Sequence, residues 1–109
     1  MIVKIMVDAE AMSGGETHNS SVFDFHMPKG NRGLVIFKVA SYGGSGNVTF
    51  KLQGRTNSEM DWVDVGSTTK NISSSTTSTQ EDIQLFPQMR AEVTTGASAT
   101  GTVTVHVGG

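Results

Sequence analysis

The sequence predicts an all-β chain, an antiparallel two-sheet β-sandwich or jelly roll of about eight short strands, folded as a single domain over residues 1–109. Three observations lead there. First, Gly46–Gly66 (GNVTFKLQGRTNSEMDWVDVG) holds two alternating segments. Val48, Phe50 and Leu52 face one way and Thr49, Lys51 and Gln53 the other; further on, Trp62, Asp64 and Gly66 oppose Val63 and Val65. Period-two alternation marks a half-buried strand. Second, turn-forming residues recur roughly every eight to twelve positions, the spacing of all-β sandwiches. Third, no stretch carries a convincing helical pattern.

The elements follow in order. Ile2–Val7 alternates with Lys4 as its one polar residue, so it reads either as a strand covered on both faces or as an arm packed on a neighbouring subunit. Asp8–Ser21 (DAEAMSGGETHNSS) reads as a long contact loop, broken by Gly14-Gly15. Val22–Met27 is a short strand, and Pro28–Gly33 a turn. Leu34–Ser41 is an apolar strand rich in Val, Ile and Phe. Gly43–Asn47 closes a hairpin onto the central stretch, whose own tip is Arg55–Asp61. The Ser/Thr-rich run after Gly66 fits an exposed strand plus loop. Glu81–Phe86 is a strand with Ile83 and Leu85 inward, ended by Pro87. Met89–Thr95 sets Met89, Ala91 and Val93 against Arg90, Glu92 and Thr94. Gly96–Gly101 is a turn, and Thr102–Val107 closes the chain with Val103, Val105 and Val107 inward.

Composition narrows the function classes. The net charge of −2 mixes both signs, so neither a basic face for nucleic acid nor a polybasic membrane patch is indicated. The longest apolar runs fall far short of the ~20 residues of a spanning helix. The opening MIVKIMVDAE is too short for a signal-peptide core and reads as a strand. The absence of cysteine removes disulfides, thiolate catalysis and thiolate zinc sites together. With five Phe, one Tyr and one Trp, the core is thin.

No motif makes an enzyme of this chain. His18, His26 and His106 share no ligand spacing and read as solvated. Glu59, Asp61 and Asp64 could be hard-metal ligands, but a solvated hairpin tip explains them better, and no metal or cofactor is expected. The glycine clusters at Gly14 and Gly43 lack the Lys-Ser/Thr of a phosphate loop. G-x-S-x-G does not occur, since Gly43-Gly44-Ser45-Gly46-Asn47 misses its last glycine. Trp62 is either partly core or a sugar-stacking platform. Met12 and Met60 fall in segments expected to be exposed, where they either anchor contacts or fill local gaps.

The second half of the chain resembles a pattern of small β-sandwich virion proteins of tailed bacteriophages. The pattern runs through Val48–Gly54 (VTFKLQG), a polar loop, Trp62–Gly66 (WVDVG), a Ser/Thr-rich stretch, Pro87–Val93 (PQMRAEV) and Gly101–Val107 (GTVTVHV). The loop Asn57–Trp62 lacks the glycine that related loops carry, and the late-strand arginine appears once, as Arg90. The resemblance implies a capsid cement, or decoration, protein on the outer surface of the virion head. It implies a homotrimer whose partner is the major capsid protein. Ile2, Ile5, Met12, Arg55, Asn57 and Met60 are the expected interface residues. The alternative is a carbohydrate- or surface-binding module of a phage fibre or tail.

Overall fold

The computed structural model describes residues 3–25, 32–66 and 68–108. Among the described residues ten strands are formed: β1 (Val3–Met12), β2 (Thr17–Asn19), β3 (Phe23–Asp24), β4 (Arg32–Gly44), β5 (Val48–Arg55), β6 (Val63–Asp64), β7 (Lys70–Ile72), β8 (Thr76–Gln84), β9 (Gln88–Thr95) and β10 (Ala99–Gly108). A four-stranded sheet runs β1-β10-β4-β8. A six-stranded sheet runs β2-β9-β5-β6, with β3 also on β9 and β7 also on β5. All pairs are antiparallel. The two sheets pack as a sandwich, as the alternation predicts.

Each inner face comes directly from period two. Val35, Phe37 and Val39 of β4 and Val103, Val105 and Val107 of β10 are buried from one side. Val48, Phe50 and Leu52 of β5 and Met89, Ala91 and Val93 of β9 meet them from the other. Phe37 and Phe50 stack with ring centroids 4.8 Å apart and planes at 27°, joining the layers at their centre. Ile83 and Leu85 are buried, as their positions predict. Thr68, a buried hydroxyl, donates to the Val65 carbonyl at 2.7 Å and accepts from the Leu52 amide at 3.3 Å, so its burial is satisfied.

Several expectations are corrected. Asp8–Ser21 is not a loop: β1 continues to Met12 and β2 begins at Thr17, leaving a tight turn at Ser13–Glu16. Thr95 clamps that turn, its hydroxyl donating to the Ser13 carbonyl at 2.5 Å and accepting from the Glu16 amide at 2.9 Å. Met12 is only 5% exposed and belongs to the core, so it is no contact anchor. β1 is not covered on both faces: it is an edge strand, and its Ile5 is 50% exposed. Gly43–Asn47 does not close a hairpin. It carries the chain from the four-stranded to the six-stranded sheet, with Gly44 and Gly46 at φ 78° and 94°. The 96–98 turn likewise switches sheets. The strand expected at Val22–Met27 is Phe23–Asp24 among the described residues; His26, Met27 and the turn as far as Asn31 lie outside them, as does Ile2. Glu81–Gln84 is the end of β8 rather than a separate strand.

The alternation hid the bulges. Besides a register shift between Ile5 and Val7 of β1, two residues oppose one in the four-stranded sheet at Asp8-Ala9 against Thr104, at Ser41-Tyr42 against Gly101, and at Glu81-Asp82 against Leu34. Each of these three pairs holds one non-glycine residue at positive φ: Ala9 at 49°, Ser41 at 54° and Asp82 at 56°. A left-handed residue inside a bulge increases twist and re-aims the side chains that follow. The β1 bulge explains why Glu10 shares a face with Val103 and reaches inward to His18, whose Nδ1 lies 3.6 Å from Glu10 Oε1 across the open side of the sandwich.

Ala9 has no polar side chain to compensate its conformation, which costs an L-residue roughly 1–2 kcal/mol. Ala9→Gly removes that strain and adds about 0.4–1 kcal/mol of unfolded-state entropy. The variant is expected to be more stable by about 0.5–1 kcal/mol in urea unfolding; a loss of stability would contradict the assigned bulge.

Candidate functional site

The outer face of the six-stranded sheet carries the densest arrangement of polar side chains among the described residues. Alternation turns Thr49, Lys51, Gln53 and Arg55 of β5 outward, and register sets them opposite Thr94, Glu92, Arg90 and Gln88 of β9. Arg55 Nε donates to Gln88 Oε1 at 2.8 Å, and Arg90 Nε donates to Gln53 Oε1 at 2.8 Å. Gln53 Nε2 donates in turn to Asp64 Oδ1 of β6 at 3.0 Å. Lys51 Nζ lies 3.7 Å from Asp64 and 3.9 Å from Glu92. The face is a chain of charge-assisted contacts in which each cation has an acceptor.

Trp62 sits at the tip end of this chain. The Arg55 guanidinium lies 4.2 Å and the Arg90 guanidinium 4.6 Å from its ring centroid. Both cations face the negative quadrupole of the indole, which fixes the ring without burying it fully. The loop that delivers Trp62 is locally tied. Asn57 Oδ1 accepts from the Glu59 amide at 3.0 Å, the Asn57 carbonyl from the Met60 amide at 3.2 Å, and Met60 Sδ from the Thr56 amide at 3.5 Å. Met60 (39% exposed) is an exposed apolar group of the same loop, whereas Val63 (40% exposed) stands opposite Gly54 and so turns to the other face of the sheet from Trp62 and Asp64. Gly54 is required just below, because a Cβ there would strike the Phe86 ring.

Of the expected contact residues, Arg55, Asn57 and Met60 thus come together at one tip. Ile5 lies on the outer face of the other sheet, in a row with His106 and Ile36. Arg90, Gln53 and Gln88 were missed as a site. Their outward direction is legible in the sequence, but which β9 residue stands opposite which β5 residue is not. Asp64 is held by Gln53 and Lys51, apart from Glu59 and Asp61. Among the described residues no three His, Cys, Asp or Glu side chains are placed to hold a metal ion.

A second feature is a shallow groove of about 460 Å³ lined by Arg32, Gly66 and Gln80–Gln84. Arg32 Nε donates to Asp82 Oδ1 at 2.9 Å, and its terminal nitrogen donates to the Asp82 carbonyl. The hydrogen bond, and then the charge, of Arg32 hold the Asp82 carboxyl below its ordinary value. A lowered folded value contributes stability above the unfolded carboxylate value of 3.8 and loses it as pH falls through the folded one. Asp82→Asn tolerates the left-handed backbone but removes the charge. Its melting temperature is expected slightly below wild type at pH 7, with the difference closing in acid below the ordinary carboxylate range. A gap that persists there would dismiss the ion pair as its cause. Arg90→Ala takes both the guanidinium from Trp62 and the partner from Gln53, which is 9% exposed. It is expected to cost about 1–2 kcal/mol and to red-shift the single-tryptophan emission; unchanged emission would mean that Arg90 does not cover the ring.

No family model matches this chain, and no curated protein matches it.

Proposed function

We propose that this protein is a capsid cement, or decoration, protein of a tailed bacteriophage, which binds the outer surface of the assembled head and stabilises it. The observation that carries the reading is the tip, where Arg55 and Arg90 hold Trp62 half-exposed at the end of a loop that also exposes Met60. Trp and Arg dominate the energetic centres of protein interfaces, and Met is also enriched there. The ring is already held by its two cations, so little side-chain entropy remains to be lost on docking. The resemblance of residues 46–109 to phage virion proteins supplies the partner, the major capsid protein. A ligand that binds only the folded, assembled state stabilises it by mass action, which is how a small docking domain reinforces a shell.

A second reading, a carbohydrate-binding module of a fibre or tail, is favoured by the half-exposed Trp62 at the end of a polar row in which Arg90 bonds Gln53 and Gln53 bonds Asp64. One experiment separates the two. The protein is mixed with assembled phage heads stripped of decoration protein, and co-sedimentation and heat release of DNA are measured. Wild type is expected to sediment with the heads and delay release, and Trp62→Ala to weaken binding at least tenfold. Failure to bind any head, together with quenching of Trp62 fluorescence by oligosaccharides, would replace the first reading by the second.

A further inference from the structure

We propose that the Thr76–Gln80 edge of β8 pairs with the same edge of a second copy of this chain, about a two-fold axis through Ser78, so that two four-stranded sheets become one continuous sheet of eight.

The inference starts from the sheet edges. An exposed strand edge is a row of unpaired N–H and C=O groups, and proteins blunt it with short strands, bulges or charges. The six-stranded sheet is blunted on both sides. On one, β2 and β3 are three and two residues long; on the other, β6 and β7 are two and three. In the four-stranded sheet, β1 is interrupted by two register shifts and carries Lys4, Asp8 and Glu10. β8 differs from all of these. From Thr76 to Gln80 it pairs with β4 in unbroken register, against Val39 through Val35. The segment reads TTSTQ, with no charge, proline or bulge. No strand pairs with its other side among the described residues. The free stretch has defined ends. The Glu81-Asp82 bulge, pinned by Arg32, closes one, and at the other Ser75 Oγ accepts from the Tyr42 amide at 2.9 Å.

The occupant follows from self-complementarity. In an antiparallel two-fold pair centred on Ser78, Thr77 meets the second copy's Thr79 on the outer face, and Thr76 meets Gln80 on the inner face. Glu81 falls opposite Ser75, so no like charges meet. Threonine pairs across antiparallel strands are favourable. A closed trimer built through this edge would need a heterologous contact, joining β8 to a different edge; among the described residues every other edge is too short or too irregular to continue the ladder. The two-fold pair is therefore the assembly these edges permit, in place of the trimer implied by the phage resemblance. A five-residue ladder buries little surface, so the dimer forms in a concentration-dependent way.

Sedimentation equilibrium of the purified chain tests this independently of capsid binding. The wild-type mass is expected to rise from the 11.5 kDa monomer toward twice that value with concentration. Thr77→Glu/Thr79→Glu sets carboxylates opposite each other across the axis and is expected to hold the protein monomeric. Thr77→Glu/Thr79→Lys sets opposite charges there and is expected to restore the dimer. Both pairs of substitutions lie at exposed positions of an edge strand, and circular dichroism confirms that the variants fold. A wild type that stays monomeric or forms trimers overturns the proposal, as does a double-glutamate variant that still dimerises.

Discussion

The stacked pair Phe37–Phe50 is the contact on which the rest of the sandwich depends. It joins consecutive strands that lie in opposite sheets, and it lies at the middle of both inner faces. Removing apolar surface from water is the main favourable term in such a fold, and Phe37 and Phe50 are the largest of its fully buried side chains. Around the pair the layers are filled by Val, Leu, Ile, Met and Ala, whose modest volumes keep the sheets close. The shortest dimension of the molecule, 21 Å, is about what two sheets ~10 Å apart and their outer side chains require.

The close fit of two twisted layers dictates the connections. The chain changes sheet repeatedly, between β1 and β2, β3 and β4, β4 and β5, β7 and β8, β8 and β9, and β9 and β10. These crossings rely on particular atoms. Gly44 is left-handed and has no room for a side chain against the Ser98 carbonyl. Thr95 holds the first crossing through its hydroxyl. The bulges at Ala9, Ser41 and Asp82 all fall in the four-stranded sheet, where they interrupt the regular ladder and increase its twist. They leave one straight segment of edge, in β8.

The two outer faces diverge for the same reason. On the six-stranded sheet, long polar side chains from adjacent strands neutralise one another, and the chain of contacts ends by fixing Trp62 in a half-exposed position. On the four-stranded sheet, threonines from β8 and β10 flank Ile36 and Lys38, with fewer specific contacts. A fixed aromatic is suited to docking, because its conformation is set before a partner arrives.

The alternating faces of β5, β9 and β10 were determined by the sequence alone, because a side-chain period of two is a local property that any reader of the chain can count; the nearly all-apolar β4 reads as a strand without showing which face is inward. The same counting located the tip residues Arg55, Asn57 and Met60. It misjudged Met12, because Asp8–Ser21 reads as a loop on its Gly, Ser, Thr and Asn content, whereas β1 runs on through the bulge at Ala9 to Met12, and a bulge with alanine in its left-handed position has no fixed sequence signature. It also read the Gly43–Asn47 turn as a hairpin, since alternation is identical whether the next strand joins the same sheet or the opposite one. Only the tertiary structure decided which strands are neighbours, and therefore that Arg90 bonds Gln53, that both cations reach Trp62, and that β8 stands at an edge. Those facts depend on contacts between residues far apart in the chain, which no local pattern encodes.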